Sequence, residues 1–327
     1  MFPLIVRRLL QSLIIVFVMT LIVFFGINVI GDRAELLINP EFNQNDAKTA
    51  VDASELDRPL YKQYWYFLAN AAQGDFGESF MFAEPALHLV LKKMPATLEL
   101  AFVAMVIAII FGIPLGLYAG LHPDSKSVRL IMTSSILGYS LPTFWVGLML
   151  IMVFAVMLGW LPSAGRGETR LLFGVPVSFL TWDGLQHLLL PALNLALFKI
   201  SLVIRLSHVG SRKVFLQDYN KLVHTKELAR GRVGTFYLLK RIVIAVFAAP
   251  ALGLGGVFAF TVVTETVFAW PGMGKLLIAA VQSLDRPIIV AYLMFTVVLF
   301  IVFNLIVDIC YSLLELEPRV RLKDSRR

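Results

Sequence analysis

The residues best suited to binding a partner lie in a basic segment, Ser211–Arg241, which interrupts an otherwise apolar chain. Eight of its residues are Lys or Arg, and only Asp218 and Glu227 oppose them. Four apolar residues recur in it at the helical spacing i, i+4, i+7 and i+8: Phe215, Tyr219, Leu222 and Val223. Such an amphipathic helix could lie on an anionic lipid leaflet or insert into a groove of another protein. The pattern alone leaves both alternatives open.

Catalytic and nucleotide-binding motifs are missing from the sequence. The five His residues are scattered without an H-x-x-x-H or H-E-x-x-H pair, and the single Cys310 permits neither a disulfide nor a Cys-based metal site. No G-x-x-x-x-G-K-[ST] motif occurs, so the chain lacks the loop that cradles ATP phosphates in P-loop proteins. We therefore expect no catalytic, cofactor-binding or metal-binding residues here, and an energy source must come from another subunit or an ion gradient.

The elements that carry the basic segment are predicted to lie in a membrane. Of the 327 residues, 58% are hydrophobic and only 16% are charged, whereas a soluble domain is about half apolar and a quarter charged. The net charge of +7 could suggest nucleic acid, but the basic residues lie between apolar runs. The positive-inside rule for membrane proteins explains them more simply, so we expect no nucleic-acid partner.

Six apolar runs are each about as long as a bilayer crossing, and continuous runs of this length predict helices. The runs are Leu9–Ile30, Ala96–Gly120, Leu130–Gly159, Leu188–Gly210, Ile242–Phe268 and Ile288–Leu314. Pro142 lies within the third run and predicts a kink there. The first run resembles a signal peptide superficially, but no small-residue cleavage site follows it, so we interpret it as a retained transmembrane helix.

The distribution of Lys and Arg predicts that both termini are cytoplasmic. With that orientation the cytoplasmic pieces carry 17 basic residues, while the loop Gly31–Pro95 has ten acidic and six basic residues. The predicted fold is therefore all-α, with an N-terminal tail and first span over 1–30 and an external loop over 31–95. A core region with the remaining five spans follows over 96–327 and contains the basic segment 211–241. The aromatic cluster Tyr61–Phe67 predicts a short helix lying on the outer membrane surface.

Small and polar residues within the runs suggest how the helices meet. Gly112, Gly116 and Gly120 are four residues apart, a spacing that lets helix backbones approach closely in lipid. Packing inside the subunit is the more economical interpretation, and a dimer seam is the alternative. Glu265 lies near the end of the fifth run, where it could mark a pathway or satisfy a helix end.

Several motifs resemble the membrane-spanning subunits of bacterial ABC importers of the dipeptide, oligopeptide and nickel type. In chain order they are ATLELA (96–101), GIPLGLYAG, LGYSLPTFWVGL (137–148), LPAL (190–193), QDYNKL, ETVFAWPGMGKLL (265–277), NLIVD (304–308) and EPRVR (317–321). The N-terminal RRLLQSLIIVFVMTLIVF and the loop motif GDFGESF are also similar. The resemblance covers nearly the whole chain.

This resemblance implies a bacterial inner-membrane permease subunit that works with a related second permease, two cytoplasmic ATPases and an extracytoplasmic substrate-binding protein. ATP and Mg²⁺ would be bound by the ATPases. The coupling helix that docks on an ATPase would correspond to Asp218–Leu228, between the fourth and fifth spans. The coupling residues would be Phe215, Asp218, Tyr219, Leu222, Val223, Lys226, Glu227 and Leu228. Glu227 stands where the family usually has Gly.

Short peptides are the expected substrate, with nickel chelates, opines or other small solutes as alternatives within the same kind of complex. Four polar residues in or near the spans are candidate pathway positions: Ser140, Thr143, Asn194 and Thr264. A stand-alone secondary transporter would require ion-coupling carboxylates near the midplane and inverted repeats, and neither is evident. A membrane-embedded enzyme would require a nucleophile or metal constellation, which is also absent from the sequence.

Overall fold

The structure is a computed structural model that describes residues 10–26, 59–224 and 261–324. For 213–224, 307–308 and 310–324 it describes the backbone only. Helices account for most of the described residues. They are α1 (Leu10–Gly26), α2 (Leu60–Ala72), α3 (Ala86–Leu121), α4 (Lys126–Ser140), α5 (Thr143–Leu150), α6 (Trp182–His224), α7 (261–267), α8 (Met273–Gln282) and α9 (Arg286–Asp324). A π-helical stretch, Ile151–Met157, follows α5 directly.

Three described helices are long and apolar enough to cross a membrane: Ala86–Leu121, Trp182–Arg212 and Arg286–Ile306. A fourth crossing is obtained if the bent pair formed by α4 and the helix Thr143–Met157 counts as one span. The shorter apolar helix α1 lies within the first predicted run. Most of the fifth predicted run, Ile242–Phe268, lies outside the described residues, so six spans with both termini inside remain a prediction.

The third predicted run is broken sharply. The pair of helices on either side of Leu141 and Pro142 is bent by 103°. Leu141 has φ −79° and ψ 137°, and Pro142 has φ −60° and ψ 128°, so both residues are extended. A proline ring disfavours the helical conformation of the residue before it and removes a helix hydrogen bond, which explains why a predicted kink is a complete break.

Other elements depart from a purely helical prediction or refine it. Two three-residue strands, β1 (Arg170–Leu172) and β2 (Val175–Val177), pair antiparallel with Leu171 opposite Pro176. This hairpin corrects the all-α prediction for the segment before α6, because the strands are too short to leave a periodic signal. Helix α8 was not predicted, whereas α2 covers the aromatic cluster for which a short helix was expected.

The chain forms two compact units, whose boundaries fall within α3, α8 and α9. Unit 1 comprises Met1–Lys92 and Leu276–Ile301, and unit 2 comprises Lys93–Lys275 and Val302–Arg327. In unit 1, Val23 of α1 packs with Val290 and Met294 of α9, and Phe67 of α2 lies against this cluster. The Thr20 hydroxyl and the Tyr64 hydroxyl are 2.8 Å apart, so α1 and α2 also share a hydrogen bond.

In unit 2 the glycine stripe of α3 packs against α6 of the same chain. A Cβ atom on Gly116 would lie 2.7 Å from the Ile204 carbonyl oxygen, and one on Gly112 would lie 2.8 Å from the Val203 side chain. Ser211, fully buried, occupies the equivalent place beside Gly120. The close approach predicted from the spacing therefore serves packing within the subunit.

Candidate functional site

The predicted coupling residues lie at the end of α6 and beyond it. The backbone of α6 is continuously helical through His224, so the first part of the basic segment extends the fourth span without interruption. Phe215, Asp218, Tyr219, Leu222 and Val223 share this helical backbone. Lys226, Glu227 and Leu228 lie outside the described residues. The coupling role of all eight residues stays a prediction.

The four candidate pathway residues are placed in two different settings. Ser140 is exposed at the end of α4, and its hydroxyl donates to the Ile136 carbonyl at 2.9 Å; Thr143 is partly buried at the start of α5. Asn194 and Thr264 are both buried, and the Asn194 amide nitrogen donates to the Thr264 hydroxyl at 3.1 Å. The structure thus brings Asn194 and Thr264 together. The pathway role of all four residues stays a prediction.

Glu265 closes the turn between α7 and α8. This fully buried carboxylate accepts the Gly274 N–H at 2.7 Å and the Lys275 N–H at 3.1 Å through one oxygen. Its other oxygen accepts the Thr97 hydroxyl at 2.6 Å. The first N–H groups of a helix have no partner within the helix and carry partial positive charge, so a carboxylate there is stabilising. A Cβ on Gly272 would overlap the carboxylate, which explains a glycine at that position.

Glu99, two residues after Thr97 on α3, is another buried carboxylate of unit 2, with 5% of its surface exposed. One oxygen accepts both Nε and Nη2 of Arg166, at 3.1 and 2.6 Å. The other accepts the Ser178 N–H, the Ser178 hydroxyl and the Phe179 N–H at 2.5, 2.8 and 3.0 Å. A buried charge that is both paired and fully hydrogen-bonded avoids the large cost of an isolated one.

Trp270 contacts Arg166, which is the ionic partner of Glu99, and the backbone of Glu265. Its indole N–H donates to the Ala96 carbonyl at 2.9 Å, and the Arg166 guanidinium lies 5.7 Å from its ring centroid. The Trp270 backbone N–H donates to the Glu265 carbonyl at 2.8 Å. We name Thr97, Glu99, Arg166, Glu265 and Trp270 the polar cluster. It joins the start of the second predicted span, the loop before β1 and the turn before α8.

The polar cluster is suited to holding elements in place rather than to covalent chemistry. Its acceptors are occupied by neighbouring donors, and no group of three His, Cys, Asp or Glu residues that could hold a metal ion occurs in the described part of the chain. Of the five residues of the polar cluster, only Glu265 is individually predicted from the sequence to have a role. Glu99 and Thr97 could have been found within ATLELA, since a carboxylate inside an apolar motif needs partners. Arg166 lies in a loop without any pattern.

Comparison with known proteins gives consistent matches along the chain. Residues 112–321 match the family described as binding-protein-dependent transport system inner membrane component. Residues 1–101 match the N-terminal region of such membrane components. The chain is 36% identical to the di/tripeptide transport system permease protein DppB of Pseudomonas aeruginosa, over 98% of this chain and 99% of that protein. It is 32% identical to the glutathione transport system permease protein GsiC of Escherichia coli K12, with the same coverage.

Proposed function

Since the chain belongs to the family of inner membrane components of binding-protein-dependent transport systems, we propose that it forms half of a translocation path for short peptides. The observation that carries this proposal is full-length similarity to permeases named for di- and tripeptide and for glutathione transport. The chain is a multi-pass permease component, and the bacterial inner membrane is its proposed location. A related second permease would form the other half of the path.

The proposed complex contains two cytoplasmic ATPases, which would bind ATP and Mg²⁺, and an extracytoplasmic binding protein that selects the substrate. Binding of ATP would draw the ATPases together and move the coupling helices docked on them. The spans would then open outward, and hydrolysis would restore the inward-facing state. A ligand can bias such an equilibrium only by binding the two states with different affinities.

Reconstituted uptake tests the substrate assignment. The purified complex in vesicles, supplied with ATP inside and the cognate binding protein outside, should accumulate labelled di- and tripeptides. A vesicle without the binding protein serves as the control and should show little uptake. Failure with every peptide, alongside uptake of a nickel chelate or an opine, would overturn the peptide assignment. Uptake driven by an ion gradient without ATP would overturn the whole proposal.

A pair of substitutions tests the coupling segment. Tyr219→Asp together with Leu222→Asp places two charges on the predicted apolar face and should uncouple ATP hydrolysis from uptake. Gln217→Asp, which lies on the opposite face of the predicted helix, is the matched control and should leave uptake near the unsubstituted level. Undiminished uptake by the double variant in a normally assembled complex would refute docking through this face.

A further inference from the structure

One carboxylate holds both ends of the segment that carries the hairpin. Glu99 pairs with Arg166 before β1 through one oxygen and accepts Ser178 and Phe179 N–H groups after β2 through the other. Arg166 Nη2 also donates to the Pro176 carbonyl at 2.6 Å, within β2. We call residues 166–179 the hairpin segment. Glu99 of α3 therefore holds both ends of the segment on unit 2, while Glu168 within it is held by Asp183, which accepts its N–H at 2.7 Å, and by Thr181, whose hydroxyl donates to its carbonyl at 2.7 Å.

The hairpin itself supplies little independent order. Its strands have three residues each, and isolated two-stranded hairpins are marginally stable in water. Its turn is largely uncovered, since Phe173 is 99% exposed and Leu171 is 74% exposed. In the proposed topology this segment faces the compartment of the binding protein. Apolar side chains held outward on an anchored hairpin form a surface that a protein partner can bury.

We propose that Glu99 is a positioning residue that fixes the hairpin segment for productive contact with the substrate-binding protein. The proposal rests on the proposed function. Glu99 lies beneath the segment and acts through Arg166 and the two backbone N–H groups. Its loss would loosen both ends of the segment, while the contacts of Glu168 with Asp183 and Thr181 and the coupling face would remain. The affinity for the binding protein should therefore fall, while the ATPase machinery remains intact.

The test uses Glu99→Gln in the complete complex, because Gln keeps the shape and removes the charge. Backbone amides of 166–179 should exchange hydrogen at least about tenfold faster, since the loss of a hydrogen bond to a charged group lowers the protection against exchange by at least that factor. The half-saturating concentration of binding protein for ATPase stimulation should rise severalfold, while the basal rate and the rate at saturation stay unchanged. Arg166→Lys, which keeps the charge but loses the fork geometry, should shift both readouts less.

Arg170→Gln is the matched control for the exchange measurement, since Arg170 is an exposed basic residue of the same segment that does not contact Glu99, and it should leave amide exchange unchanged. Unchanged amide exchange in Glu99→Gln would overturn the proposal, as would faster exchange with an unchanged half-saturating concentration. Loss of the basal ATPase rate would indicate general misassembly and also overturn it. Absence of binding-protein-dependent uptake by the unsubstituted complex would overturn the proposed function, while the exchange data would still decide whether Glu99 holds the segment.

Discussion

Glu99 and Glu265, the two buried carboxylates in the described part of unit 2, have hydrogen-bond partners of different kinds. Glu265 accepts hydrogen bonds from one hydroxyl and from two backbone N–H groups that follow it by nine and ten residues. Glu99 is paired with a guanidinium 67 residues away and with backbone groups 79 and 80 residues away. The first arrangement mainly closes a local turn, and the second fixes a distant segment to a helix.

This difference in partners predicts that the two sides of the polar cluster contribute unequally to the free energy of unfolding. A local cap replaces partners that the helix end would otherwise find in water, so its net contribution is modest. A buried ion pair is costly to break from one side, because the remaining charge stays in a medium that solvates it poorly. We therefore expect the Glu99 side of the cluster to be more sensitive to substitution than the Glu265 side.

The largest effect is expected for Arg166→Ala, which leaves the Glu99 carboxylate buried without its cation. The free energy of unfolding should fall by about 3–5 kcal/mol, the usual loss when one partner of a buried pair is removed. Thermal or denaturant unfolding of the purified protein in detergent measures this change. Arg170→Ala, at an exposed position, should stay within about 0.5 kcal/mol. A loss below about 1 kcal/mol for Arg166→Ala would remove the proposed contrast between the carboxylates.

A smaller effect is expected for Thr97→Val, which keeps the side-chain shape on the Glu265 side. The Thr97 hydroxyl donates to Glu265 and accepts the Met273 N–H at 2.8 Å, so Val leaves a donor and an acceptor without this partner. Since the other Glu265 oxygen keeps the Gly274 and Lys275 N–H groups, the Met273 N–H is the main group left unsatisfied, and a total loss of about 1–3 kcal/mol is expected. Thr97→Ser retains the hydroxyl and should lose less in the same unfolding assay. Equal losses for Val and Ser would show that packing, not the hydroxyl, matters at this position.

The same contrast explains what could be predicted from the sequence. Glu265 is predictable because it lies near the end of an apolar run, and its two backbone partners, the Gly274 and Lys275 N–H groups, follow it closely in the chain. The glycine stripe was interpretable for a similar reason, since a four-residue spacing states a packing rule directly. Local patterns therefore predict the long apolar helices of the described residues, a kink at Pro142 where the structure has a break, and the short helix over the aromatic cluster, but they do not predict α8.

The rest depends on pairings between distant residues, which periodicity does not encode. Arg166 lies in an irregular segment, and nothing in its neighbours indicates a carboxylate on α3. The sequence does not predict the hairpin, because three-residue strands are too short to show a recognisable alternation of apolar and polar residues. The family motif ATLELA contained both Thr97 and Glu99, but the motif alone does not show what its polar residues bind.

The smallest change in stability is expected for Asn194→Leu, and this variant separates structure from transport. Leu removes the hydrogen bond to Thr264, worth about 0.5–1.5 kcal/mol. It also removes a buried Asn194 Oδ1 atom that has no hydrogen-bond partner in the described part of the structure, which offsets part of that loss. The free energy of unfolding should change by less than about 1 kcal/mol.

If Asn194 contributes to the pathway, peptide uptake should nevertheless fall in Asn194→Leu, measured in the reconstituted vesicles. Ser201→Ala is the control, because Ser201 is a buried polar residue of the same helix whose hydroxyl donates to the Leu197 carbonyl within that helix. It should leave uptake unchanged. Normal uptake by a stable Asn194→Leu protein would assign this residue to packing alone.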